Sequence, residues 1–276
     1  MVAAVIYSAG AGFAGWCRLL EAIVLDSLKL MAASASLALV VPALACRAAE
    51  PGFDITVELG AAYQQRNDVK IPNDNEGTRF SLEDLAGNGP WATVRVNANW
   101  NINEKHGVRL VLAPLEYSER GQFDSPVRFA GREYQPGTPV KATYRFNSWR
   151  VGYRYHLYEE GPWQLWVGGT LKVRDAEIKL SQDGTSSRDD DVGVVPLLYF
   201  AAEYRLSDEW LFEADFDGLA GGPGRAFDIS ARLTYETSDR WRLALGYRGL
   251  EGGVDNDDVY NFAWFNTLFL SMNYRW

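Results

Sequence analysis

Residues Tyr260 to Trp276 read YNFAWFNTLFLSMNYRW, and their parity decides the fold. Counting back by twos from Trp276 gives Tyr274, Met272, Leu270 and Leu268, then Trp264, Phe262 and Tyr260, with Asn266 alone interrupting the row. The other parity holds Arg275, Asn273, Ser271 and Thr267, with Phe269 and Phe265 among them. A period of two marks a β-strand, whose successive side chains point to opposite faces. A strand this long, aromatic at both ends of its apolar face, is awkward in a soluble sheet. It fits a transmembrane β-barrel, whose apolar outer band lies between two aromatic girdles.

The same alternation recurs upstream. Phe53, Ile55, Val57, Leu59, Ala61 and Tyr63 share one parity, and Ala92 to Ile102 alternate cleanly against Thr93, Arg95, Asn97, Asn99 and Asn101. Further strands are read over Val108–Leu112, Trp149–Leu157, Trp163–Val173, Leu198–Leu206, Trp210–Phe216, Phe227–Tyr235 and Trp241–Tyr247. Beyond Val173 the apolar parity is taken by Asp175, Glu177 and Lys179, as if that strand leaves the lipid and continues in water. Connections near residues 105, 160, 207 and 239 are short. Those over Asn67–Pro90, Glu119–Pro139, Ser181–Asp191 and Leu250–Asp258 read as longer loops, and Gly218–Gly224 as a short glycine loop. The expectation is an all-β, antiparallel up-and-down transmembrane barrel of about ten strands, with eight or twelve as alternatives. Its short turns would be periplasmic and its longer loops extracellular.

Composition narrows the partners. A net charge of −9 argues against nucleic acid, which needs a basic surface. Ten Trp and fourteen Tyr suit a protein with two membrane interfaces to populate. No stretch after residue 50 is long and apolar enough for a spanning helix, so a closed barrel is the remaining way to cross lipid. The N-terminal region reads as targeting sequence: Lys29 precedes an apolar run from Leu30 to Leu44, and Ala43-Leu44-Ala45 offers small residues for cleavage near 45–49. Lipidation at Cys46 is the weaker reading. Residues 1–48 are therefore assigned to an extension and signal peptide, and 49–276 to the barrel. Cys17 and Cys46 both precede the strands, which leaves the mature chain no thiol for disulfide, zinc or thiol chemistry.

With Leu268, Leu270, Met272, Tyr274 and a terminal Trp276, the last strand resembles the C-terminal signal of bacterial outer-membrane barrels. That resemblance implies reading by the barrel-assembly machinery and closure of the barrel by this strand. The chain is similar to small outer-membrane barrels of the broad OmpA/OmpW-like class, and its ten strands resemble the omptin count. The implied location is the outer membrane, the implied neighbours its lipid and lipopolysaccharide, and any external ligand is unknown. No cofactor is expected.

The inward parity is dense in charge. It carries Glu213, Asp215, Asp217, Asp228, Arg232, Arg242, Arg248, Arg154 and Arg174, along with Glu58, Arg95, Arg109, Arg150, Lys172, Glu203 and Arg205. A barrel this narrow leaves little more than side-chain room, so opposite charges would pair and plug it. The leading expectation is a non-enzymatic barrel with a structural or surface-interaction role. A narrow porin is the alternative, and a lipid A-modifying or omptin-like enzyme the third reading. His106 and His156 fall at the periplasmic end, the wrong side for enzymes of that kind, and no catalytic residue is assigned. Asp189, Asp190, Asp191, Asp255, Asp257 and Asp258 are weak candidates for a divalent cation but lack the ligand pattern of a calcium loop.

Overall fold

The computed structural model describes residues 52–222 and 224–276. The expected extension and signal segment over residues 1–48, with Cys17 and Cys46, lie outside the described residues. No helix in the described part is long and apolar enough to cross a membrane.

The chain runs as an antiparallel meander. Its strands are β1 (Phe53–Lys70), β2 (Phe80–Ser81), β3 (Trp91–Asn101), β4 (His106–Ala113), β5 (Glu116–Gly121), β6 (Val127–Phe129), β7 (Arg132–Tyr134), β8 (Val140–Glu160), β9 (Trp163–Gln182), β10 (Thr185–Arg205), β11 (Trp210–Gly221), β12 (Gly224–Glu236), β13 (Trp241–Asp255) and β14 (Tyr260–Arg275). Among the described residues a single short helix, α1 (Leu82–Ala86), follows β2. β4 and β5 both pair with β8 and form one stave, interrupted at Pro114, which has no N–H to give the ladder. The barrel therefore has ten staves, β2 being a fragment on β1 and β6–β7 a separate hairpin. It closes where β14 pairs with β1 from Asp54↔Arg275 to Lys70↔Tyr260, and the Trp276 N–H donates to the Phe53 carbonyl at 3.1 Å.

Parity sorts the residues. Leu59, Leu110, Leu198, Leu245, Leu268 and Leu270 are exposed on the outside, which an aqueous surface would not tolerate in such a continuous band. At the short-turn end ring pairs form a girdle: Phe53–Trp276 at 5.0 Å, Trp163–Tyr204 at 4.7 Å, Trp210–Tyr235 at 4.9 Å and Trp241–Tyr274 at 4.6 Å. The turns at this end are short because Asn103, Ser207 and Ser238 cap them: each side-chain oxygen accepts from backbone N–H groups two and three residues on.

The other end departs from the expected loops. Ser181–Asp191 is no loop: β9 and β10 continue as a hairpin to the two-residue turn Asp183–Gly184, whose φ values of 44° and 82° suit a primed turn. Asp189, Asp190 and Asp191 thus stand on a strand, and Asp255 is the last residue of β13. On the outward side of this extension Arg145 pairs with Asp175 (3.1 Å) and Glu177 (3.8 Å), and Arg188 with Asp190 (3.2 Å), a charged surface suited to water above the lipid. The presumed loop over 119–139 holds the end of β5 and the β6–β7 hairpin, and Asn67–Pro90 holds the end of β1, β2 and α1.

Leu270 is 64% exposed on the lipid face and pairs with Leu59 and Leu245. Leu270→Arg is expected to cost about 2–4 kcal/mol if it lies near the bilayer midplane, read as a shift of the urea midpoint in vesicles. Removing Trp276 deletes both the Phe53 ring contact and the closing hydrogen bond, and should reduce the yield of the heat-modifiable folded species.

Candidate functional site: the barrel lumen

The interior has three layers. In the middle, inward positions of β1, β3, β4, β8, β9, β11, β12 and β13 converge on three carboxylates. Asp228 accepts from Arg95 (2.9 Å), Arg150 (2.5 Å) and Arg248 (2.5 Å). Asp217 accepts from Arg109 (2.5 Å), Arg150 (2.8 Å) and the Thr170 hydroxyl (2.7 Å). Glu58 takes Arg248 at 3.0 Å and the Asn97 amide at 3.0 Å. Arg150 joins the two aspartates and is almost wholly shielded. Charges this deep persist only when paired and hydrogen-bonded, and here each acid is shared among several donors.

Toward the periplasmic end the lumen widens into a cavity of about 520 Å³, bordered by Asp54, Arg109, Arg154, Glu203, Arg232 and Arg242 among others, and reaching Trp276. Arg232 grips Glu213 through two bonds of 2.9 and 3.1 Å, and Ser230 donates to Asp215 at 2.5 Å. Arg242 bridges Glu236 and Glu203, the latter at 3.3 Å.

Toward the outside the interior turns apolar. The side chains of Trp91 and Tyr117 stack at 3.9 Å and 9°, Tyr117 meets Tyr144 at 5.5 Å, and Tyr144 meets Phe265 at 5.6 Å. Leu82 and Leu85 of α1 and Phe129 of the β6–β7 hairpin are buried in the same core. Two external segments thus fold back as a plug. Gln64 holds it, donating to the Leu82 carbonyl at 3.2 Å and accepting from Tyr117 at 2.8 Å. Gly121 of β5 is required there, since a Cβ would lie 1.7 Å from the Leu85 carbonyl oxygen. At the rim Arg79 donates to Asp68 (2.9 Å) and to the Tyr260 hydroxyl (2.8 Å), and Arg66 donates to Asp68 at 2.7 Å.

Of the charged residues singled out from sequence, Glu213, Asp215, Asp217, Asp228, Arg232, Arg242 and Arg248 face the lumen in these clusters. Two stand apart: Arg154 donates to Asn101 at 2.6 Å, and Arg174 pairs with Asp191 in the outer half. Arg205 lies exposed at the periplasmic rim with Glu236. The acidic candidates do not converge: Asp190 faces outward with Arg188, Asp191 faces inward with Arg174, and Asp255 accepts from Asn73. No group of three or more metal-binding side chains is assembled among the described residues. Asp189 has its pKa raised, by burial and by the neighbouring charges of Asp190, Asp191 and Asp258. His106 bonds Tyr153 at 2.6 Å and His156 stacks on Trp166 at 5.0 Å, both beside the short turns. The aromatic plug was missed from sequence, although Trp91, Tyr144 and Phe265 at inward parity near the outer strand ends were its signal.

A closed ten-stave wall, an apolar outer band, ring girdles and short turns at one end define a small β-barrel of the bacterial outer-membrane type. No protein-family model matches the sequence, and no curated protein matches it. Among solved structures, the outer-membrane protease OmpT of Escherichia coli aligns at a TM-score of 0.48 and 11% identity, over 82% of this chain and 97% of its own. Ail, the attachment invasion locus protein of Yersinia pestis, aligns at 0.38 and 13% over 82% and 100%. Neisserial surface protein A aligns at 0.32 and 13% over 82% and 100%. At such scores these are likenesses of outline, and the chemistry has to be argued from the chain's own residues.

Asp228→Asn would leave three buried guanidiniums without their shared acid, and should destabilise by roughly 3–5 kcal/mol in urea unfolding from vesicles. A loss below about 1 kcal/mol would place that layer in water rather than protein. At the rim, burial acts to raise the Asp68 carboxyl, but hydrogen bonds from Arg66 and Arg79 hold it below its ordinary value. A depressed carboxylate stabilises above its unfolded pKa of about 4 and loses that contribution as pH falls through the lower folded value. Relative to pepsin cleavage of an unfolded substrate at the same pH, cleavage within 71–90 should therefore rise as pH drops below that range, and in Asp68→Asn that relative rise should be lost.

Proposed function

We propose that the protein is a non-conducting, non-enzymatic outer-membrane barrel that works at its external face, supporting the envelope or binding surface molecules. The observation that carries this reading is the double obstruction of the lumen. The Arg95–Arg150–Arg248 cluster on Asp228 crosses its middle, and the Trp91–Tyr117–Tyr144–Phe265 core lies above it. Water and ions would have to break buried ion pairs to pass. The positions of His106 and His156 beside the short turns, at the strand ends opposite the outer surface, support a non-catalytic role. The charged outward face of β8–β10, beyond the apolar outer band, suits contact with lipopolysaccharide headgroups, and the Trp276 row suits recognition by the assembly machinery. The signal segment read in residues 1–48 would supply export.

Planar-bilayer recording tests this reading. The purified barrel is expected to give no stable openings, whereas steady salt-dependent conductance would overturn it.

A further inference from the structure

Two places in the outer half lack pairing between neighbouring staves. Between β3 and β5 no ladder is formed, but Trp91 stacks on Tyr117 and donates to Glu119 at 2.9 Å, which seals the seam. Between β10 and β11 the last pair is Leu198↔Gly218. Above it β10 runs on to Thr185 while β11 ends at Gly221, and among the described residues no backbone hydrogen bond joins them. Pro196 sits on this open lip of β10, a residue sheets admit at edges because it brings no N–H. Val192 and Val194 on the same lip are 69% and 66% exposed and lie just below the charged extension, so the notch faces the outer leaflet.

A cavity of about 340 Å³ lies behind the notch. It is bordered both by Val194 and Pro196, which point out of the barrel, and by Tyr144 and Phe265, which point in; a cavity that touches both faces of a wall passes through it. Its far side is glycine, and a side chain at Gly221 or Gly222 would meet nothing within 4 Å. Its floor is Lys172, only 2% exposed, with Nζ lying 4.5 Å over the Phe146 ring. Among the described residues this ammonium has neither an ion pair nor a hydrogen bond, while the acids below it are already shared among guanidiniums.

We propose that this cavity binds an alkyl chain ending in an anion, admitted from the outer leaflet through the β10–β11 notch. The anionic head would sit on Lys172, giving the buried amine a hydrogen-bonding partner that it otherwise lacks, and the chain would lie along the apolar walls toward Val194. This goes beyond the surface-working reading and does not depend on it, because the site lies above the mid-lumen cluster and needs no conduction.

The test is titration of the full chain in lipid nanodiscs with dodecanoate, and with dodecan-1-ol as the uncharged counterpart. Wild-type protein should bind dodecanoate saturably and at least about tenfold tighter than dodecan-1-ol, as a charge-assisted contact implies. Lys172→Met should erase that preference and leave the alcohol affinity unchanged. Gly221→Trp, which fills open space at the notch, should abolish binding of both while the folded, heat-modifiable form persists. No saturable binding, or equal affinities of wild-type protein for acid and alcohol, would overturn the proposal. The wild-type comparison decides it even where a variant fails to fold.

Discussion

The pairing of β14 with β1 is the constraint from which everything else follows. In hydrocarbon an unpaired backbone N–H or C=O costs several kcal/mol, so a sheet can persist there only as a ring. Once Asp54↔Arg275 through Lys70↔Tyr260 is fixed, register is fixed around the circle, and with it the side of the wall on which each residue stands. A one-residue slip of β14 would turn Leu268, Leu270 and Met272 inward and Arg275 and Ser271 toward lipid. The ring explains why so many charged side chains tolerate burial: the parity that keeps lipid apolar leaves them no other direction.

The narrow interior then has to be filled, and the two halves fill differently. In the middle, cations outnumber the acids they share, and guanidiniums suit that work because their planar forks serve two carboxylates at once, as Arg150 does with Asp217 and Asp228. An ammonium cannot fork in this way, and Lys172 is accordingly the cation displaced to the edge of the cluster. In the outer half the fill is aromatic, supplied by chain that returns into the mouth. The polar groups carried in with it are met by Gln64, Asn67 and Tyr117, with Asn261 donating to Asn67 at 3.1 Å. The plug is therefore a small core of its own, with the barrel wall as its second layer.

Much of this was legible in sequence because alternation is a direct image of the wall. All ten staves and most of the inward charges follow from parity, and the short-turn end from the lengths of the connections between them. What escaped has physical causes. A bulge between Gln64 and Arg66 switches the outward parity of β1 from odd to even, so the strand reads as ending at Tyr63 while it runs on to Lys70. The β9–β10 extension carries charge instead of an apolar row on its outward face, and its apolar residues Ile178 and Leu180 point inward against the plug, so a reading of outward parity sees a polar loop; only the Asp183–Gly184 pair marks the hairpin. The plug escaped because inward aromatic residues such as Phe265 look like noise in an alternation read for its outward face. Arg154 and Arg174 share parity with the central cluster but sit at different heights, and parity carries no information about height.

The two unpaired seams weigh differently against the ring constraint. At β3–β5 the open edges face α1 and the plug, so the protein itself covers them and the wall is complete in effect. At β10–β11 the edge lies beside exposed Val192 and Val194, at a level where lipid would be the neighbour. A sequence under pressure only to close the wall would lengthen β11 to match β10, as β8 and β9 match each other over their whole length. Instead the chain spends Gly221, Gly222 and Gly224 on a low turn and places Pro196 on the facing lip. An edge left in lipid is costly, and this one opens onto a cavity whose floor is an unpaired ammonium. An anionic alkyl occupant would partner Lys172 and enter by the open edge, which is the reason to read them as one feature rather than two defects.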